Sequence, residues 1–124
     1  MTLEAFNAVC AQLRATTHVV QWGGAHVWKV GGKVFAIAVQ ARLDAPLAIT
    51  FKVTPLSYEI LRYQDGLRPA PYLAARGLYW IQNYTSEGLD DADLALYIKM
   101  SHRLVASGLS KKKQAALGLS EDVG

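Results

Sequence analysis

Lys29 and Lys33 flank Gly31-Gly32 in the segment Val-Trp-Lys-Val-Gly-Gly-Lys-Val-Phe-Ala, residues 27 to 36. Two adjacent glycines supply the positive φ angles of a type I′ turn, so the segment predicts a β-hairpin that lifts both ammonium groups to its tip. Cations on a ribbon suit contact with the phosphate backbone of nucleic acid, where each neutralised phosphate steepens the salt dependence of binding. Lys52, expected on a neighbouring strand, extends the strip. The competing use of such lysines is to keep ribbon edges soluble and unpaired.

Lys99 and Arg103 stand four residues apart, with His102 between them and Lys111 to Lys113 beyond. Like charges at that helical spacing repel mildly unless an anion bridges them, so this is either a second anion-binding flank or a solvated polar face. Trp28, Trp80, Tyr72, Tyr79 and Tyr84 could form a platform for unpaired bases, worth about 1–3 kcal/mol per stacked base. Alternation places Trp28 with Val30 and Leu78 with Trp80, which favours packing for the two tryptophans.

Nothing in the chain spells out catalysis. His18, His26 and His102 are isolated in sequence, with no cysteine or second histidine at ligand spacing, so no metal site is expected. Cys10 falls on an apolar helical stripe and reads as a small buried hydrophobe rather than a reactive thiol. Gly31-Gly32-Lys33 lacks the upstream glycine and the hydroxyl of a phosphate-binding loop. No Gly-x-Ser-x-Gly elbow is present. The expectation is a protein without cofactor that binds rather than catalyses.

These side chains need elements to position them. Thr2 can cap a helix reaching about Ala15, with Leu3, Phe6, Cys10 and Leu13 at helical spacing. Thr16 to Trp22 is β-branched and aromatic, either a strand or an extended lead-in to Gly23-Gly24. The hairpin pairs about His26 to Val30 with Lys33 to Gln40. Leu47, Ile49, Phe51 and Val53 then alternate with Ala48, Thr50 and Lys52 as a third strand. Thr54-Pro55 opens a helix to about Gln64. Leu67 to Gly77, with Pro69 and Pro71, reads as a loop crossing the sheet edge. Leu78 to Tyr84 is the last strand, and Asp90 with Asp93 starts a long helix that stops near Gly108. Strands that neighbour one another through short turns, with few helices, predict an α+β fold: an antiparallel sheet covered by helices on one side. Residues 1–109 form a single domain in this reading, and 110–124 a basic, flexible tail.

The 124 residues suffice for one core, and 52% hydrophobic with 19% charged residues is a globular composition. The net charge of +3 is mild, and setting aside the tail leaves 10 basic and 8 acidic residues, so any basic face must come from placement. No apolar run approaches the roughly 18 residues of a membrane span, so no membrane partner is expected. A lone cysteine and an N-terminus without a basic-then-apolar leader point to a reducing cytoplasm.

One set of residues carries a likeness. Cys10, Trp22-Gly23, the hairpin from Val27 to Ala36, Phe51-Lys52, Arg68-Pro69-Ala70-Pro71-Tyr72, Trp80, Ser101-His102-Arg103-Leu104-Val105, Leu109 and Lys111-Lys112 together resemble the MmcQ/YjbR family, from the first helix to about Lys113. The resemblance implies a CyaY-like α+β fold, close to frataxin-like and secretion-chaperone-like domains. It also implies a DNA-binding label tied to a double-wing reading of that fold, with no reaction assigned. Members of the family often carry lysines just before the tryptophan. Here that stretch is Ala74-Ala75-Arg76-Gly77-Leu78-Tyr79-Trp80, and Arg76 alone supplies a cation to the second wing. The expectation is therefore phosphate contact by Lys29, Lys33 and Lys52, with Arg76 on the second wing and Lys99 and Arg103 flanking. A protein-interaction module using the sheet face or the aromatic loop 69–80 is the alternative, and a small-molecule site among the tyrosines a third.

Overall fold

A computed structural model describes residues 1–71, 73 and 77–119. Elements follow in the order α1 (Leu3–Ala11), β1 (Thr16–Gln21), β2 (Ala25–Val30), β3 (Lys33–Val39), β4 (Ala48–Lys52), α2 (Pro55–Leu61), β5 (Leu67–Pro69), β6 (Trp80–Asn83), α3 (Asp91–Ser107) and α4 (Lys111–Ala116). The strands form one antiparallel sheet in the order β1-β2-β3-β4-β6-β5. The fold is α+β, as the pattern of elements predicts.

Each helix starts where a side-chain oxygen accepts an orphan N–H of the first turn. Thr2 accepts from the Ala5 amide, Thr54 from Ser57 and Asp90 from Asp93. α1 ends at Ala11, short of Ala15, because the chain reverses through Ala15 at φ +58° to enter β1. α2 closes at Leu61 rather than Gln64. Leu67–Pro69, expected as loop, pairs with β6 as a three-residue edge strand. Pro69 is tolerated there because it ends an edge strand, where a missing donor breaks no central ladder.

The core lies between the sheet and α1 and α3. Phe6 and Cys10 of α1 and Leu94, Ile98, Val105 and Ala106 of α3 meet Val30, Phe35, Ala36, Ile49, Phe51 and Ile81 of the strands. β2 and β3 slip register between Trp28 and Lys29: Trp28 pairs with Ala36 and Lys29 with Val34, leaving Phe35 as a bulge. A bulge leaves backbone groups without ladder partners and turns the side chain. Here Phe35 turns into the core, edge-to-face with His102 at 5.1 Å.

Residues 110–119 are not a frayed tail. Ser110 caps α4, the Gln114 amide reaches the carbonyls of Ala106, Ser107 and Leu109, Arg14 Nη1 donates to Gly118 O, and Leu119 is fully buried. The lysine run suggested solvent, but the apolar anchor lies beyond it. Residues 120–124 lie outside the described part.

Candidate nucleic-acid interface

Gly31 and Gly32 have φ +58° and +81°, as the predicted turn requires. The tip rests on the end of the helical layer. A Cβ on Gly31 would lie 2.5 Å from Leu109 Cδ1, and one on Gly32 would lie 4.0 Å from Lys113 Nζ. Trp28 faces the helices, since its Nε1 donates to Asn7 Oδ1 of α1 at 2.9 Å. By alternation Lys29 faces the other, helix-free side, opposite Val34. Lys52 lies opposite Trp80 on that same side, because Phe51 packs inward on Tyr97 of α3. Lys33 and Lys52, with Val34, Leu78, Trp80, Leu104 and Gly108, line one open groove of about 370 Å³ at this end of the sheet. Lys29, Lys33, Lys52 and Lys113 thus converge on the hairpin end.

Charge is segregated along the strand direction. Among the described residues none of the seven lysines forms an ion pair. Asp44, Glu87 and Asp90 in the connections, and Asp91 and Asp93 in the first turn of α3, sit at the opposite end, where the Met1 ammonium lies 2.9 Å from Asp91 and Arg42 pairs with Asp44. Lys111 to Lys113 occupy the first turn of α4, where cations oppose the helix dipole.

Lys99 and Arg103 do not join this group. The inner stripe of α3 is Leu94, Ile98, Ser101 and Val105, so residues 99 and 103 point away from the sheet. They line a separate groove of about 440 Å³ with Gln12, Arg14 and Met100. Which side of a helix faces inward is set by its packing, and their spacing alone does not report it. Arg76 and Tyr72 lie outside the described residues.

The aromatic platform is mostly core: Trp28 and Trp80 are buried. Tyr79 is 42% exposed and meets Tyr58 edge-to-face, while the Arg68 guanidinium covers the Tyr84 ring at 4.3 Å. Three features escape a reading of the sequence. Arg68 adds a cation to the helix-free face, held by Gln82 Oε1 at 2.9 Å. Trp22 is 67% exposed with φ +52°. His18 and His26, isolated in sequence, bring Nε2 and Nδ1 to 3.0 Å of each other; an antiparallel register does this, pairing Val20 with His26 and His18 with Trp28.

Burial pushes the Cys10 thiol up to about 12, so it is no thiolate at neutral pH. His102 Nε2 donates to the Arg14 carbonyl at 2.8 Å, a structural tie between α3 and the end of α1. Among the described residues no group of three or more His, Cys, Asp or Glu side chains is placed to hold a metal ion, and no helix is long and apolar enough to cross a membrane.

A six-stranded antiparallel sheet backed by helices, with Lys29, Lys33, Lys52 and Lys113 at its hairpin end, defines a small α+β fold. The chain belongs to the YjbR family, whose model matches residues 11–104. A crystal structure of Deinococcus radiodurans protein DR2400, with a DUF419 domain, is similar at TM-score 0.83 and 23% identity, over 97% of this chain and 90% of that one. That likeness shows the fold. No curated protein matches the chain.

Proposed function

We propose that this protein binds DNA without catalysis, gripping the phosphate backbone with the lysine-bearing hairpin end. The observation that carries the reading is the convergence of Lys29, Lys33 and Lys52 at one end of the sheet, unpaired by any carboxylate among the described residues. Lys113, at the turn, enlarges the same patch. Surface lysines without carboxylate partners keep their full attraction for a polyanion, whereas paired ones must first give up a neighbour. Lys99 and Arg103 belong to the far side of the helical layer and are left out of the contact surface. Because phosphates carry no sequence information, binding is weak and sequence-tolerant. Fluorescence anisotropy of labelled duplex and single strands, for the parent and a Lys33→Glu/Lys52→Glu variant, tests it: the parent binds at low salt and the variant does not.

A second reading rests on Trp22. A bulky residue in the left-handed region costs about 1 kcal/mol or more, yet here one stands largely exposed. It borders an open apolar groove with Ile37, Val39, Pro71 and Leu73. That combination suits contact with a protein partner through the sheet face. Trp22→Gly would then raise stability while abolishing a salt-resistant complex, and it would leave DNA binding untouched.

A further inference from the structure

His18 on β1 and His26 on β2 are surface side chains that the DNA reading does not use. Their ring nitrogens, Nε2 and Nδ1, are 3.0 Å apart. The rings are nearly parallel, 15° apart, with centroids at 5.1 Å. That centroid separation, about two ring radii more than the nitrogen distance, means the rings meet edge to edge and share one N–H···N bond. Neither ring is a floppy surface group. His18 also stacks on Trp28, 4.6 Å between centroids at 12°, and Trp28 is buried and held by Asn7. The β1–β2 ladder beneath them pairs Thr16 to Gln21 with Ala25 to Val30 without a register shift. Two imidazoles are therefore presented on a rigid support with adjacent nitrogens.

From this geometry we infer that His18 and His26 form a two-histidine site for a first-row divalent metal ion that prefers square or tetragonal coordination, copper(II) or nickel(II). Two metal–nitrogen bonds of about 2.0–2.1 Å at a right angle place their nitrogens about 2.9 Å apart, close to the observed separation. Copper(II) heads the affinity order of first-row divalent ions for nitrogen ligands, which ranks zinc lower at this site. Rotation of each ring by about 45° turns the lone pairs, which face each other along the hydrogen bond, toward the ion. The proton held between the rings moves through solvent to the outward nitrogen of the same imidazole, so both ligands stay neutral and no net proton is released from the neutral pair. Solvent completes the coordination sphere. With only two protein ligands the ion exchanges readily. The role is that of an accessory or sensing site, distinct from the lysine surface.

Electron paramagnetic resonance of the full chain with one equivalent of copper(II) at neutral pH tests this. The expected spectrum is tetragonal, with hyperfine structure from two equatorial imidazole nitrogens. Losing even a partner that only supports a ligand typically weakens metal binding about 10–100-fold, so His18→Gln or His26→Gln should each weaken copper(II) binding by at least that much. Circular dichroism confirms that the variants fold. Independently, paramagnetic broadening in the unaltered protein should fall first on the His18 and His26 ring protons and spare His102. A spectrum unchanged in the His18→Gln/His26→Gln double variant, or broadening centred elsewhere, overturns the assignment.

Discussion

The backbone N–H of Lys52 donates to Ser101 Oγ at 2.8 Å, and the same hydroxyl donates to the Phe35 carbonyl at 2.6 Å. One fully buried side chain of α3 thereby satisfies two backbone groups just past the Ala36–Phe51 pair, where the β3–β4 ladder ends beside the Phe35 bulge. This tie fixes the strand end that carries Lys52 to the helical layer.

Ser101→Ala removes the donor and the acceptor together and strands both backbone groups in the core. The expected loss is about 2–4 kcal/mol of stability, from two buried groups at about 1–3 kcal/mol each with partial relief by water. Urea unfolding of the variant measures it. A loss below about 0.5 kcal/mol would mean that the two groups find other partners.

Alanine at the two turn glycines should separate conformation from contact. Either substitution places a side chain in the left-handed region, at about 1–2 kcal/mol. Gly31→Ala must also displace Leu109, whereas Gly32→Ala meets only the flexible end of Lys113. Thermal unfolding should therefore rank Gly31→Ala clearly below Gly32→Ala, and equal losses would contradict the docking of the tip on Leu109.

Local chemistry made much of this structure legible in the sequence. Caps at Thr2, Thr54 and Asp90 depend on a bond three residues away, and the Gly31-Gly32 turn on two φ angles. What escaped notice is non-local. β5 exists because Leu67 finds Asn83 across the sheet edge, despite Pro69 at its end. α4 is held by Gln114 and by Leu119, beyond a lysine run that suggests solvent. The convergence of Lys29 and Lys52 follows from strand alternation. The outward aim of Lys99 and Arg103 follows from which stripe of α3 the core selects. His18 and His26 met only once the β1–β2 register was known.

Cys10 should resist alkylation in the folded protein at pH 8 and react at full rate in denaturant, since its thiol is pushed up to about 12 by burial. The linkage has a definite sign. The unfolded thiol ionises near its ordinary value while the folded one stays protonated, so the contribution of Cys10 to stability is constant below about pH 9 and falls as pH rises from there toward 12. Cys10→Ala should flatten that alkaline decline. Rapid labelling of the native state would contradict the burial.

His18 titrates below its ordinary value of 6.5, through burial first and the neighbouring His26 second. The unfolded state therefore binds its proton at higher pH, and the contribution of His18 to stability is lost as pH falls from about 6.5 through its lower folded value. Proton NMR titration should find His18 below an unstructured histidine, and His26→Gln should move it part of the way back. No movement in that variant would break the link between the two rings.

The measurement that bears most directly on the DNA-binding proposal is the salt dependence of duplex binding by anisotropy. With three lysines on phosphates, the logarithm of the association constant should fall against that of salt with a slope of about −2.7, roughly 40-fold between 50 and 200 mM. Lys33→Glu/Lys52→Glu should abolish binding, while Lys99→Glu, on the other groove, should leave the slope unchanged. Absence of binding at low salt, or a Lys99→Glu defect equal to that of the hairpin variant, would contradict the account.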